Sequence, residues 1–293
     1  MHTVADYAHP EVLVTTDWVN EHHNDPNVHI VEIDVDTTSY DQGHIPGAVG
    51  WNWQTQLQDQ VTRDIVDRAG FEALMSAAGI NPDDTVVLYG DNNNWFAAYG
   101  FWLMKIYGHR DVRLMNGGRN KWMNEAGRET TTDVPSPAST SYSVSGHHPE
   151  LRAHASDVLD VARQGTKNLV DVRSPDEFTG KVIAPPGMSE TAQRGGHVPG
   201  AKSVPWATTV AEDGTFKPMD ELRHLYMDVN GLDSSQPTIA YCRIGERSSH
   251  SWFVLKYLLG LDNVQNYDGS WTEYGNLVGA PIAVGAPEPV AAS

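Results

Sequence analysis

Cysteine is almost absent from this chain: 293 residues hold one thiol, Cys242. That excludes an intramolecular disulfide framework and a multi-cysteine zinc site, and it is consistent with a reducing cytoplasm, the location expected here. Basic residues are also scarce, 20 Lys and Arg against 38 Asp and Glu, for a formal charge of −18. Such a chain repels phosphate backbones and anionic lipid, so neither nucleic acid nor a membrane is expected as a partner. No apolar run approaches membrane-spanning length. Met1–Tyr7 has neither the positive nor the apolar region of a secretory signal, so none is expected. The thirteen histidines lack metal-ligand spacing, and no metal or other cofactor is expected. What the chain does have is core: 40% hydrophobic residues and nine Trp, in a length that suits one large or two ordinary domains.

An internal repeat organises it. His44-Ile45-Pro46-Gly47-Ala48 recurs as His197-Val198-Pro199-Gly200-Ala201. Apolar runs Val28–Val35, Thr85–Tyr89 and Val112–Met115 read as strands of the first half, and Asn168–Val172, Thr238–Tyr241 and Val264–Tyr267 as those of the second. Trp95-Phe96 and Trp252-Phe253 look like matched helix landmarks, and each half ends in a Gly turn. Helical stretches alternate with the strands. This predicts an α/β protein with two similar domains, each a mainly parallel sheet covered by helices on both faces. The expected boundaries are 1–130, a polar linker at 131–150, 151–285, and a flexible tail at 286–293. The second half carries about fifteen extra residues between Phe178 and His197. That insert, with Lys181 and Arg194, is either a surface loop or a basic wall of a site.

Cys242 follows a strand directly, where open parallel sheets place ligands. It opens the loop Cys242-Arg243-Ile244-Gly245-Glu246-Arg247, with Ser248 next. A helix N-terminus and two arginines are expected to lower the thiol's pKa. A loop curled around the sulfur would aim backbone amides at one anionic centre. Tyrosine-phosphatase loops place five residues between cysteine and arginine; here there are four, and Ser248 stands where that arginine would fall. The smaller cradle suits a single sulfur atom rather than a phosphate. Gly90 stands in the first half at the position of Cys242, so only the second half has a nucleophile.

These features together resemble the two-domain rhodaneses, thiosulfate and mercaptopyruvate sulfurtransferases, over roughly residues 10 to 283. The resemblance rests on both His-(Ile/Val)-Pro-Gly-Ala motifs, the strand end Asp171-Val172-Arg173-Ser174, the six-residue cysteine loop and Gly269-Ser270-Trp271. The loop matches bacterial thiosulfate enzymes with Cys-Arg-Ile-Gly-Glu-Arg. The resemblance implies tandem rhodanese-like domains, an inactive first copy, and ping-pong transfer of the outer sulfur of thiosulfate through a Cys242 persulfide to cyanide or a thiol. A thioredoxin-like thiol protein is a further expected acceptor. Arg247 and Arg243 are the implied substrate-binding residues, with Lys181 and Arg194 as candidates. Ile244, Gly245, Glu246 and Ser248 complete the loop, and Asp171, Arg173 and Trp271 support it. Ile244 and Glu246 depart from better-known loops. Glu246 either pairs with Arg243 or Arg247 or adds negative charge beside the sulfur. Glu177 stands where the mercaptopyruvate branch places arginine, which weighs against that donor. A persulfide carrier with little small-molecule turnover is the remaining alternative.

Overall fold

The computed structural model describes residues 4–187 and 191–286, so all but the first residue of the expected tail lies outside the described residues. The chain divides into two compact units. One comprises residues 9–149 and 212–216; the other comprises 150–211 and 217 onward, with the N-terminal residues up to Ala8. Residues 131–149 run with the first unit: Thr131 bridges His44, the Thr140 amide donates to the Ser76 carbonyl and the His148 amide to that of Ile106. Among the described residues no helix is long and apolar enough to cross a membrane.

Each unit is built on a parallel sheet. The first has order β1-β5-β4-β2-β3, with β1 Leu13–Val14, β2 Val28–Asp34, β3 Val49–Asn52, β4 Thr85–Tyr89 and β5 Val112–Met115. The second has order β7-β6-β8-β9, with β6 Asn168–Asp171, β7 Lys202–Ser203, β8 Thr238–Tyr241 and β9 Val264–Tyr267. The central strands β4, β6 and β8 are buried along their whole length, which is why their apolar runs were legible. The edge strands β1, β3 and β7 are two to four residues long and were not anticipated.

The repeated His-Pro-Gly-Ala segment has a common structural task. The Ile45 and Val198 amides each donate to a strand-end tyrosine hydroxyl, Tyr89 and Tyr241, at 3.1 Å. The His44 ring stacks on Tyr40, and the His197 ring on Phe178. His44 Nδ1 lies 2.9 Å from the Tyr40 carbonyl, and His197 Nδ1 2.8 Å from that of Phe178. Both rings fix a turn.

The two copies diverge where chemistry would sit. In each, the carbonyl at the strand end accepts an amide from the turn after the last strand: Arg119 to Gly90, and Trp271 to Cys242. This contact makes Gly90 and Cys242 equivalent. The Trp-Phe pairs are not equivalent. Trp95 begins the right-handed part of the helix Asp91–Ile106, whereas Trp252 ends the helix Glu246–Phe253. No side chain fits at Gly90, because a Cβ there would lie 2.3 Å from the Ile33 carbonyl oxygen. The following loop is also reshaped: Asn92, Asn93 and Asn94 are all left-handed, a conformation asparagine tolerates better than most. Asn94 then closes it, accepting from the Gly90 amide and donating to the Met115 carbonyl.

Below that sealed loop, β2 ends in two buried carboxyl groups, Glu32 and Asp34. Arg119 donates to Glu32 at 2.7 Å. Burial, then the neighbouring Glu32, pushes Asp34 up to about 8. Asp34 therefore keeps in the folded state a proton that the unfolded chain releases near pH 4. Its contribution to stability is complete below that value and is lost as pH rises towards 8. Asp34→Asn is expected to stabilise the protein relative to wild type by a margin that grows between pH 5.5 and 8. Urea denaturation at both pH values checks this, and a pH-independent difference would remove Asp34 from the account.

Candidate active site

Three segments of the second unit meet around Cys242. The loop leaves β8 and enters the helix Glu246–Phe253, whose N-cap is Gly245. Gly245 has φ of 103°, and a Cβ there would lie 2.8 Å from Asp268 Cα, so this turn requires glycine twice over. The turn aims the Gly245 amide at Cys242 Sγ, 3.1 Å away. From the segment after β9, Ser270 Oγ accepts the Cys242 amide at 3.0 Å and lies 3.9 Å from the sulfur. Ser270 is itself left-handed, with φ of 52°. The first copy has Gly118 at the corresponding turn position.

The third segment is the short helix Pro175–Phe178, started by a capping box between Ser174 and Glu177. It delivers the Glu177 carboxylate, 1% exposed, to Arg247, with Nη1 and Nη2 at 3.2 and 3.3 Å from its two oxygens. Burial alone would raise the Glu177 carboxyl. The Arg247 charge and hydrogen bonds more than offset that and hold it below the ordinary range. Arg247 Nε also lies 3.5 Å from Glu246 Oε1. The pairing with Arg247 that the sequence left open to Glu246 is present in the structure. The other Glu246 oxygen lies 3.4 Å from Cys242 Sγ, so one carboxylate bridges the arginine and the thiol.

The expected low thiol pKa is corrected by this geometry. Cys242 is fully buried, and burial raises its pKa. Glu246 raises it further, while Arg247 and hydrogen bonds from Ser248 act in the opposite direction without winning. Arginines within five residues do not guarantee a thiolate when acidic partners arrive with them.

The remaining sequence candidates separate clearly. Arg243, Ile244, Glu246, Arg247 and Ser248 are all buried in the loop or the first helical turn. Asp171 and Arg173 form a fully buried pair with Nη2–Oδ2 of 2.6 Å. The Arg173 guanidinium sits 4.4 Å from the Trp271 ring, and the Trp271 amide holds the Cys242 carbonyl at 3.1 Å, so the pair braces the loop through Trp271. Lys181 and Arg194 do not join the cluster. Lys181 is exposed and pairs with Asp176. The Arg194 guanidinium is spent on the carbonyls of Tyr274, Gly275, Leu277 and Ala280, which makes it a pin for the segment after the helix Ser270–Tyr274. These carbonyls use four of the five guanidinium donors and hold the side chain in place. Glu177 and Ser270 were missed as site residues. The signal for the first was the Ser174-x-x-Glu177 spacing; for the second, a serine where the other half has Gly118.

The arrangement is a buried sulfur held by an amide and beside Glu246, which with Glu177 flanks Arg247. Comparison with known proteins agrees with it. The family model described as "Rhodanese-like domain" matches residues 15–125 and 154–277. The chain is 55% identical over 286 residues to a Haloferax volcanii protein named "Putative thiosulfate sulfurtransferase", covering 96% of this chain and 99% of that one. It is also 55% identical over 283 residues to "Sulfur carrier protein TtuD" of Thermus thermophilus, covering 95% and 99%. Among solved structures it superposes on SseA of Escherichia coli, described as a 3-mercaptopyruvate sulfotransferase, with a TM-score of 0.77 and 26% identity over 89% of this chain and 98% of that one. The chain belongs to the rhodanese family as a tandem of two rhodanese-like domains, the second of which holds the lone cysteine.

Proposed function

We propose that this protein is a thiosulfate sulfurtransferase that carries sulfur on Cys242. The observation that supports it best is the enclosed sulfur position, 3.1 Å from the Gly245 amide, with the buried Arg247 favouring a thiolate there. A persulfide anion needs donors aimed at one atom, and a dianionic donor needs guanidinium groups close by. The Cys242 thiolate attacks the outer sulfur of thiosulfate. A new S–S bond forms, the old S–S bond breaks with its electron pair leaving on sulfite, and the persulfide stays on the enzyme. A thiophilic acceptor, cyanide or a thiol, then takes that sulfur and regenerates the thiolate. Nothing in the chemistry requires a cofactor.

Glu177 weighs against mercaptopyruvate. At the position where the mercaptopyruvate branch has an arginine, this chain has a buried carboxylate paired with Arg247, so no cation stands there for a donor carboxylate. The relative named as a sulfur carrier supports a second reading, in which the loaded sulfur passes to a partner protein. One experiment tests the core of both. Intact mass after thiosulfate treatment is expected to rise by one sulfur atom and to fall back on adding cyanide. No gain in mass overturns the proposal. Gain without turnover on small acceptors favours the carrier reading, and faster loading from mercaptopyruvate than from thiosulfate overturns the donor assignment.

A further inference from the structure

The mechanism above needs a thiolate, yet the structure buries the thiol and surrounds it with acids. The partners around Cys242 give the reason. Arg243 is buried in the loop. Arg247, buried in the first turn of the helix, faces Glu246 from the same turn and Glu177 from the helix Pro175–Phe178. The other charges packed against the loop are already paired: Asp171 with Arg173 at the end of β6, and Asp268 after β9 with Arg152. Glu246 lies between Arg247 and the sulfur, so Cys242 and Glu246 hold one proton between them. Losing that proton to solvent would add a negative charge to a buried site, which is costly. Moving it from sulfur to carboxylate leaves the total unchanged.

The contacts of the sulfur fit that transfer. The Gly245 amide, a donor, points at Sγ and suits the thiolate. Glu246 Oε2, at 3.4 Å, suits a thiol that donates. Oε1 of the same carboxylate faces Arg247 and fixes the orientation.

We propose that Glu246 is the proton acceptor for Cys242, taking the thiol proton as the sulfur attacks and returning it when the acceptor has removed the persulfide sulfur. In the first half-reaction the S–H bond breaks, its proton goes to Glu246 Oε2, and the sulfur's electron pair forms the bond to the donor's outer sulfur. The leaving group departs with the electron pair of the broken S–S bond. In the second, the thiolate released by the acceptor recovers the proton from Glu246. No base from solvent is needed, and the neutral Glu246 does not repel an anionic acceptor while the enzyme is loaded. The proposal rests on Cys242 as the sulfur carrier and not on which donor supplies the sulfur.

The test compares wild type, Glu246→Gln and Glu246→Asp. It follows the rate of Cys242 alkylation by iodoacetamide, a neutral probe, from pH 5 to 9, and single-turnover loading from thiosulfate. Wild type is expected to keep an alkylation rate that is nearly flat with pH on the acid side, set by the shared proton. Glu246→Gln is expected to lose that shelf, falling tenfold for each pH unit, and to load at least about tenfold more slowly at pH 6. Glu246→Asp is expected to recover part of the shelf. If Glu246 only opposes the thiolate, Glu246→Gln will alkylate and load faster than wild type, and the proposal is overturned. Should the glutamine variant fail to fold, the wild-type profile still decides: a tenfold rise per pH unit with no shelf also overturns it. A shelf lost in Glu246→Gln, with no loading from thiosulfate in wild type, upholds the shared proton and removes the donor assignment instead.

Discussion

Cys242→Ser is expected to abolish sulfur transfer and sulfur loading while leaving the thermal midpoint close to that of wild type. The two halves of this expectation have different physical sources. Activity goes because a hydroxyl is far less acidic than a thiol and an oxygen in place of Sγ cannot form a persulfide. The fold stays because the serine hydroxyl finds the same partners that the sulfur has, accepting from the Gly245 amide and donating to Glu246. Those bonds would be at least as good with oxygen, since a hydroxyl is the stronger donor and acceptor. Residual turnover in a verified Cys242→Ser preparation would mean that another group carries the sulfur. No second cysteine exists to do so. A large drop in thermal midpoint would show instead that the sulfur itself holds the loop.

Arg247→Ala is expected to damage both activity and stability. Arg247 bonds both oxygens of Glu177 and lies beside Glu246, and all three side chains are buried. Deleting it strands two carboxylates in a low-dielectric site, a loss of about 3–5 kcal/mol when one partner of a buried pair is removed. The same deletion removes a cation beside the thiol and donor. Because Arg247 is among the groups that favour the Cys242 thiolate, turnover is expected to fall together with donor affinity. The combined loss in kcat/KM for thiosulfate is expected to be at least about thirtyfold, as for other buried charge contacts to an anion. The double variant Arg247→Ala with Glu177→Gln separates the effects. Glutamine keeps the capping box with Ser174 and removes one stranded charge, so stability is expected to recover in part while activity does not. A rise in KM with unchanged turnover would restrict Arg247 to donor binding, and full recovery of activity in the double variant would remove it from the site.

Much of this was legible in local sequence. Five of the six strands read from apolar runs lie inside the sheets and the sixth, β9, at an edge; Thr85–Tyr89, Val112–Met115, Thr238–Tyr241 and Val264–Tyr267 agree residue for residue with the structure. The repeated His-Pro-Gly-Ala segment reads as a fixed turn in both copies because its partners, Tyr40 and Phe178, lie within one short stretch of chain or its insert. The absence of a nucleophile at Gly90 was visible in the alignment of the halves. Its cause was not, because the obstructing carbonyl of Ile33 comes from a neighbouring strand. The insert misled for a related reason. Arg194 reads as available charge until the carbonyls of Tyr274, Gly275, Leu277 and Ala280 close around it.

Local sequence is enough to say where the thiol sits, how short its loop is, that a parallel sheet presents it, and that only one of two copies has it. These depend on spacing and on runs of a few residues. The tertiary structure alone decided the state of that thiol. Glu177 reaches Arg247 from 70 positions away, and Ser270 reaches the Cys242 amide from 28. Which charges surround a buried atom, and how completely water is excluded from it, depend on the segments that close over the loop. Desolvation and the Glu246 charge therefore outweigh the Arg247 charge and the Ser248 hydrogen bonds that favour the thiolate.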